Sequence, residues 1–276
     1  WQNHDRTHET KEGYIMLPLN KQEFGFDTIL EYTKKYNPDF IITMADVGWQ
    51  SGFIDQIMEA RRRGWKGKWI GWHPFDTETW ENMLWDKILD CVDINVAMAD
   101  NGEALMKERK IHDVHKISLG IDTNIFKPIK EREIIRRSFK LNKNFVIGFV
   151  GRNQRRKMIA NLIKGFSQFS KNKEDVKLLL HCEKSPINQF QGWNIPSLVT
   201  KYECYDPMLT KLNKIQMSRE EMDMDKKQRI SPETMNGIYN LMDIFCYSTG
   251  GEGFGIPGIE SQAAGVPLMM TDYSTA

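Results

Sequence analysis

Several features that define whole classes of proteins are missing from this sequence of 276 residues. No apolar run approaches the roughly 18 residues that a transmembrane helix needs, and residues 1–13 lack the apolar stretch of a signal peptide. Neither sign of charge is in excess, since 38 basic residues stand against 37 acidic ones. Binding to a nucleic-acid backbone needs a positive surplus on some face, so we expect no nucleic-acid partner. Peripheral contact with a membrane surface stays open.

Cysteine pairs are missing as well. Cys91, Cys182, Cys204 and Cys246 lie far apart, and no Cys-x-x-Cys occurs. This spacing argues against a zinc ribbon or a disulfide framework and indicates a reducing compartment, so we expect a cytoplasmic protein. The first half also lacks a Gly-x-Gly-x-x-Gly that opens a helix, which argues against a nicotinamide-type dinucleotide site.

What the sequence does contain is an alternation of short apolar runs with longer segments of helical period. The runs are Tyr14–Leu17, Phe40–Met44, Trp69–Trp72, Ile94–Met98, Val114–Leu119, Phe145–Val150, Val176–Leu180, Asp243–Tyr247 and Val266–Met270. Parallel neighbours in a sheet need a long crossover, so this order predicts an α/β fold with parallel sheets. The segment Gly120–Pro128, followed by the charged residues 130–143, predicts a domain boundary near residue 130.

Polar residues and glycines follow three of these runs. His73 comes after a first-half run, and Gly151–Lys157 and Ser248–Gly255 come after two second-half runs. In open parallel sheets, ligands bind beyond the carboxyl ends of the strands. The three segments would therefore converge on one cleft if the two sheets face each other.

The most informative segment holds five glycines between Gly250 and Gly258. Glycine costs conformational entropy, and close approach of the backbone to a ligand is one reason to place so many together. Pro257 suits the first turn of a helix and Gly265 its C-terminal end. The helix start would direct unpaired N–H groups at the loop, which makes an anion site.

Two carboxylates flank this loop, Glu252 on the loop itself and Glu260 one turn into the helix. They could accept hydrogen bonds from sugar hydroxyls while the amides bind phosphate, which predicts a nucleotide-sugar ligand. The same residues would also suit a tight glycine turn before a core helix, with two solvated glutamates.

The segment from Glu252 to Glu260, continued by Ala-Ala-Gly-Val-Pro267, resembles the signature of the group 1 glycosyltransferases, the fourth sequence family of that enzyme class. Further segments resemble the same family in register: Ile117–Pro128, Ile147–Arg152 with Lys157, and Ile238-Tyr239 to Asp243. The resemblance covers roughly residues 38–276 of the chain.

The resemblance implies a GT-B fold, in which two Rossmann-like domains turn their parallel sheets toward a central cleft. Residues 1–130 would form the acceptor-side domain and residues 131–276 the nucleotide-sugar-binding domain. We expect both to be incomplete, because the family's first strand and its closing helices have no counterpart here and no initiator methionine is present. The chain then reads as a fragment of a longer protein.

The activity that the resemblance implies is retaining, metal-independent transfer of a sugar from a nucleoside-diphosphate sugar to an acceptor hydroxyl. No cofactor is expected, and the acceptor stays open between a glycan, a lipid and a small molecule. One alternative is a non-catalytic module that binds nucleotide sugars. A weaker alternative is a sugar-nucleotide epimerase of the same architecture.

The resemblance also assigns roles residue by residue. Arg152 and Lys157 match the family's basic pair for the diphosphate, where fixed positive charge stabilises the departing group. Glu260 matches the residue that binds the ribose, and Glu252 the one that faces the transferred sugar. His73 matches a histidine near the reacting sugar, although a lone histidine at a strand end is as often structural. Backbone groups expected to contact phosphate or sugar are those of Gly151, Phe254, Gly255 and Ile256.

Other patterns are weaker. Asp223-Met-Asp225 has the form of a metal-binding Asp-x-Asp but lies in a charged helical run, and His112 and His115 lack an acidic third ligand, so no metal site is expected. For Arg155 and Arg156 a solvated loop charge is favoured. The eight tryptophans are each expected in a core.

Overall fold

The computed structural model describes residues 8–10, 13–17, 25–80, 82–185, 192–202, 215–217 and 230–274. The chain divides into two compact units, residues 1–118 and 119–276. The sequence predicted a boundary near residue 130, whereas here the connecting segment belongs to the second unit. Lys127 N–H donates to Asn236 Oδ1 at 3.1 Å and Ile129 N–H to Asn240 Oδ1 at 2.9 Å. These partners lie more than a hundred positions away in sequence, so local turn chemistry does not reveal them.

The first unit contains a parallel sheet covered by helices. Its strands are β1 (His8–Glu9), β2 (Ile15–Met16), β3 (Phe40–Met44), β4 (Lys68–His73), β5 (Ile94–Ala97) and β6 (Val114–Lys116). Its helices in the described residues are α1 (Ile29–Tyr36), α2 (Val47–Arg62), α3 (Leu84–Asp90) and α4 (Asp100–Glu108). Strands β3, β4, β5 and β6 pair in that order, all parallel.

The apolar run at Tyr14–Leu17 behaves differently from the expected sheet strand. Ile15–Met16 pairs antiparallel with His8–Glu9, and the side chains of Tyr14 and Ile15 are largely exposed. Gly13, at φ 84°, reverses the chain between the two short strands. The run is thus half of a small hairpin and takes no part in the parallel sheet.

Strand β4 contributes Trp69 to an apolar cluster of the first unit. Trp69 is fully buried, and its indole N–H donates to Thr43 Oγ1 at 2.9 Å, which satisfies the polar end of the ring. Helix α2 packs Phe53 and Ile57, one turn apart, into the same apolar cluster. Trp49, one turn earlier, is 51% exposed, so the expectation that every tryptophan lies in a core is wrong for this one.

The second unit repeats the architecture. Its strands are β7 (Phe145–Val150), β8 (Val176–His181), β9 (Ile215–Met217), β10 (Ile244–Tyr247) and β11 (Leu268–Met270). Its helices in the described residues are α5 (Arg132–Ser138), α6 (Ile159–Phe169), α7 (Ile195–Lys201), α8 (Pro232–Tyr239) and α9 (Ile256–Ala263). The sheet is parallel in the order β11-β10-β7-β8-β9. The predicted α/β fold with two parallel sheets is confirmed.

Close packing fixes the centre of this second sheet. A Cβ atom on Gly148 would lie 1.9 Å from Met242 Sδ, so a larger residue there would force the buried Met242 side chain to move. Next to it, the Asp243 carboxylate accepts hydrogen bonds from Arg132 at 2.6 Å, Arg136 at 3.1 Å and the Val146 N–H at 2.7 Å. Burial raises the pKa of Asp243, but these donors outweigh it and the net pKa is lowered. Helix α5 is thereby tied to the sheet by charge as well as by apolar contact.

No helix in the described part of the chain is long and apolar enough to cross a membrane.

Candidate functional site

Two loops of the second unit meet where neighbouring parallel strands end. One follows β7 and the other follows β10, and these two strands pair directly. Gly250 N–H donates to Arg156 O at 2.7 Å, and Ser248 Oγ donates to Lys157 O at 3.1 Å. The loops are therefore joined by their backbones, which brings Gly151–Lys157 and Ser248–Gly255 together as the sequence predicted.

Glu252 is the buried centre of this arrangement, with 5% of the residue exposed. Its Oε1 accepts hydrogen bonds from Lys157 Nζ and, at 2.7 Å, from Thr249 Oγ1, while Oε2 accepts from Arg156 Nη1 at 3.2 Å. Burial alone would raise the pKa of this carboxyl, yet Lys157, Thr249 and Arg156 lower it below its usual value. Glu252 is accordingly ionised at neutral pH.

Lys157 is nearly as buried as its partner, at 6% exposure. Its ammonium donates to Glu252 and, at 2.6 Å, to the Tyr247 hydroxyl, and it lies 4.9 Å from the centre of that ring. Burying an ion pair is expensive unless further hydrogen bonds complete it. Here the hydroxyl of Tyr247 supplies one, and burial, together with Glu252, raises the pKa of that phenol.

Arg156 is bound within the site, whereas the sequence favoured a solvated side chain on a loop. Its guanidinium donates to Gly251 O at 2.6 Å and to Glu252, while its side chain remains 42% exposed. Arg155, Arg156 and Lys157 form a 3₁₀ turn, in which successive side chains point about 120° apart. Arg155 therefore lies elsewhere, 5.5 Å from the Trp193 ring. Sequence reasoning missed this separation because it depends on the local turn type.

The glycine-rich segment closes into helix α9 close to the predicted bounds. Gly255 caps the helix with φ 82°, a proline occupies the first turn, and Gly265 follows the end with φ 78°. Both positive angles favour glycine. Ile256 is the first residue of the helix, and its N–H has no acceptor inside the helix. Phe254 and Gly255 lie directly before it, and the sequence predicted that all three backbone groups contact phosphate or sugar.

Glu260 lies on α9 and has a partner that sequence reasoning did not assign. The Tyr239 hydroxyl donates to Glu260 Oε2 at 2.6 Å. Burial raises the pKa of the Glu260 carboxyl, and the hydrogen bond from Tyr239 lowers it in part. Tyr239 itself is fully buried, so the carboxylate is bound from the core side.

Arg152 follows β7 on the same loop as Lys157. Its side chain is exposed, and it makes no side-chain hydrogen bond or ion pair with any residue that the structure describes. The neighbouring Gly151 N–H donates to His181 O at 3.1 Å, which continues the β7–β8 ladder by one residue. The loop thus combines one buried cation, Lys157, with exposed ones, of which Arg152 is the first.

His73 lies in the first unit and is fully buried. Gln50 Nε2 lies 3.3 Å from its Nδ1, and Asn95 Oδ1 lies 3.1 Å from its Nε2. An imidazole that donates from Nε2 and accepts at Nδ1 satisfies both contacts. Burial lowers the pKa of His73 to about 4, although Asn95 and the Ala45 backbone partly oppose the shift. These contacts account for the burial of His73, and its place near the reacting sugar stays a prediction.

No group of three or more metal-ligating side chains occurs within the described ranges. His115 Nε2 lies 2.7 Å from Asp113 Oδ1, and His112 lies 3.8 Å from Asp90, all at exposed positions. The Asp223-Met-Asp225 pattern lies outside the described residues.

The first unit contains a cavity of about 530 Å³ at the carboxyl end of β3. Its lining is mostly apolar and includes three aromatic side chains, Phe26, Trp49 and Phe53. The ring centres of Phe26 and Trp49 lie 6.2 Å apart. Thr28 and Asp46 add polar groups to the wall. Apolar walls with a few polar groups are typical of small-molecule sites.

The α/β fold with two parallel sheets matches the structures of GT-B glycosyltransferases. No protein-family model matches the chain. In sequence, it is 32% identical over 142 residues to the capsular polysaccharide biosynthesis glycosyltransferase CapM of Staphylococcus aureus, which covers 49% of this chain and 30% of CapM. It is 27% identical over 186 residues to mannosylfructose-phosphate synthase of Agrobacterium fabrum, covering 65% of this chain and 36% of that enzyme. The chain thus matches about a third of the length of these curated relatives.

Solved structures show the same fold. A sucrose-phosphate synthase from Thermosynechococcus elongatus has a TM-score of 0.72 and 17% identity, covering 99% of this chain and 69% of that one. HepE from Anabaena, in complex with UDP and glucose, has a TM-score of 0.66 and 13% identity, covering 90% and 63%. Sequence relatives and fold agree, and the predicted resemblance to the group 1 GT-B glycosyltransferases is confirmed.

Proposed function

We propose that this protein transfers a sugar from a nucleoside-diphosphate sugar to an acceptor hydroxyl, with retention of configuration and without a metal ion. The observation that carries the proposal is the contact of Glu252 with Lys157 and Arg156 beside the glycine-capped start of α9. Cations, helix amides and carboxylates are thereby assembled within two joined loops. A sugar-linked diphosphate needs each of these three kinds of group.

Lys157, Arg156 and Arg152 would bind the diphosphate, and the N–H groups at the start of α9 would add hydrogen bonds. Arginine can bind two phosphate oxygens at once, whereas lysine acts as a point charge. Negative charge grows on the departing phosphate as its bond to the sugar breaks. Fixed cations stabilise that charge without having to reorganise, which lowers the barrier.

Glu252 would face the transferred sugar and Glu260 the ribose. In the proposed step, the bond between the anomeric carbon and the phosphate oxygen breaks, and the acceptor oxygen bonds to that carbon from the same face. The departing phosphate takes the acceptor's proton. Lys157 and Arg156 both donate to Glu252, so a bound diphosphate would compete with Glu252 for both cations and release its carboxylate toward the sugar.

The nucleotide is proposed to be a uridine diphosphate in the first instance. HepE, a structural neighbour, is described in complex with UDP and with UDP-glucose, and another neighbour is a UDP-forming trehalose-phosphate synthase from Burkholderia xenovorans. We propose that the acceptor binds in the first-unit cavity beside Trp49, because its mixed apolar and polar wall suits a sugar or a glycoside with an apolar group. The cytoplasmic location remains part of the proposal and rests on the wide spacing of the four cysteines along the sequence.

The test is incubation of the protein with labelled uridine, guanosine and adenosine diphosphate sugars and a panel of acceptors. We expect a labelled glycoside and release of the nucleoside diphosphate. Tight binding of the nucleotide sugar without transfer or hydrolysis would instead identify a binding module. Interconversion of donor sugars without any acceptor would identify an epimerase. Absence of binding to every donor would contradict the proposal.

A further inference from the structure

Two buried tyrosines of the second unit each contact a different charged group of the site. Tyr239, at the end of α8, donates to Glu260 at 2.6 Å, and the Tyr247 hydroxyl on β10 accepts from Lys157 at 2.6 Å. Phe245 lies between them, with its ring centre 5.7 Å from Tyr239 and 5.4 Å from Tyr247. All three residues are fully buried, so core packing fixes the positions of the two hydroxyls.

The contact with Tyr239 occupies only one side of the Glu260 carboxylate. Oε2 accepts the tyrosine hydrogen bond, whereas Oε1 has no hydrogen-bond partner among the residues that the structure describes. Glu260 is partly exposed at the surface of α9. One oxygen is thus held from the core and the other remains open to a ligand.

We propose that Tyr239 is a positioning residue for the donor nucleoside: it binds Oε2 of Glu260 and leaves Oε1 to accept a hydrogen bond from a ribose hydroxyl. This inference rests on the proposed function and concerns a residue to which the family resemblance assigns no role. A carboxylate free to rotate would lose entropy on binding the ribose, and a carboxylate already held by a rigid phenol does not. Tyr239 thereby increases the preference for a nucleotide that carries ribose hydroxyls.

A second consequence follows from the charge of Glu260. A ribose hydroxyl donates best to the ionised carboxylate. Burial opposes that ionised form and raises the pKa of Glu260, and the hydrogen bond from the Tyr239 hydroxyl offsets part of this rise. No basic side chain contacts this carboxylate in the described residues, and the neighbouring Tyr247 is neutral. Donor binding should therefore weaken as the pH falls through the Glu260 pKa, and loss of the phenol hydroxyl should move that midpoint to higher pH.

The experiment compares Tyr239→Phe with Tyr247→Phe, which removes the hydroxyl of the other buried tyrosine. Isothermal titration would measure dissociation constants for uridine, guanosine and adenosine diphosphates and for their 2′,3′-dideoxy analogues between pH 4.5 and 8. For Tyr239→Phe we expect about tenfold weaker binding of the ribose form, as for loss of one hydrogen bond to a charged group. The dideoxy form should change little, and the acid midpoint should rise. Tyr247→Phe should weaken both forms equally and leave their ratio unchanged.

Several outcomes would overturn the inference. If Tyr239→Phe lost affinity for the ribose and dideoxy nucleotides equally, or kept the same acid midpoint, Tyr239 would only pack in the core. The proposed function would remain intact. Glu260→Gln provides a second test if Tyr239→Phe does not fold. It should lose the ribose preference together with the pH dependence, and retention of both would contradict the inference. Failure of the wild-type protein to bind any of the diphosphates would contradict the proposed function itself.

Discussion

The two units bury polar groups at equivalent places, where a parallel strand ends, but they treat charge in opposite ways. In the first unit, His73 lies among neutral amides, and burial lowers its pKa to about 4, so it is uncharged. In the second unit, Glu252 lies against Lys157 and Arg156, and its pKa is lowered so that it stays ionised. Burial is severe for both residues, and the neighbours decide which form survives.

This difference helps to distinguish a functional site from a packing cluster when two units share one architecture. A buried group that becomes neutral needs nothing more than packing partners. A buried charge must be paired, and the pairing supplies an ionic group that a substrate can displace. The ionic cluster of the second unit therefore has a reason to be a site, whereas the His73 cluster is explained by packing alone.

The largest effect should come from removing the charge of Glu252 without changing its shape. Glu252→Gln is expected to slow sugar transfer about a hundredfold or more, the size seen when one preorganised electrostatic contact is lost. Binding of the bare nucleoside diphosphate should become tighter, because Lys157 and Arg156 no longer have an internal anion. Steady-state transfer assays and titration calorimetry measure the two quantities. A parallel loss of both would show that Glu252 only supports the fold.

The next effect concerns the stability of the first unit. His73 has a folded pKa of about 4 against a reference value of 6.5, so the unfolded chain takes up a proton first as pH falls. The stability that the neutral imidazole contributes is fully present above pH 6.5, falls between 6.5 and 4, and is lost below 4. The contribution of His73 to the free energy of unfolding is therefore about 3 kcal/mol larger above pH 6.5 than below pH 4.

Denaturant unfolding of the wild type and of His73→Gln across this pH range measures the contribution of His73 to the free energy of unfolding. The variant should lack this part of the pH dependence, and its affinity for the nucleoside diphosphate should equal that of the wild type. If His73→Gln lost sugar transfer while its stability stayed unchanged, His73 would instead have a role in the reaction.

Loss of a single cation should have a moderate effect confined to the second unit. Lys157→Ala, Arg156→Ala and Arg152→Ala should each weaken binding of the bare nucleoside diphosphate by about 1–3 kcal/mol. Arg155→Ala is the matched control, because Arg155 lies against Trp193 and makes no contact with Glu252. Calorimetric titrations in which Arg155→Ala behaves like the other three would show that only net charge matters.

The smallest effect is expected in the first unit's cavity. Trp49→Ala removes an aromatic face there and should raise the KM for the acceptor severalfold, since such contacts contribute about 0.5–1.5 kcal/mol. Affinity for the nucleoside diphosphate should stay unchanged. An unchanged KM for every acceptor, with transfer intact, would place acceptor binding outside this cavity.

Much of the fold could be predicted because it depends on local patterns. Phe40–Met44 and Phe145–Val150 form strands with the predicted bounds. Continuous apolar runs suit strands covered on both faces, and most of β7 is buried in this way. Strand β3 lies at the end of its described sheet, and its Phe40, Ile42 and Met44 side chains are exposed. Tyr14–Leu17 has the same character, yet it forms half of a hairpin. A run of that length does not reveal its pairing partner, which lies a few residues away in a polar segment.

The site was predictable in part for a related reason. Spacing along the chain identified Glu252, Glu260 and Lys157, because family-like motifs are local in sequence. The contacts of Arg156 with Glu252 and of Tyr239 with Glu260 join residues far apart in the chain. They depend on a 3₁₀ turn and on the packing of α8 against α9, which no single segment specifies.

Side-chain periodicity and backbone conformational limits are enough to predict the alternation of strands and helices, the glycine positions at the two ends of α9, and the order of the motifs. Which charged groups stay ionised when buried depends instead on the packing between distant segments. His73 loses its charge and Glu252 keeps its own, since the free energy of a buried charge depends on the groups packed around it and not on its place in the chain.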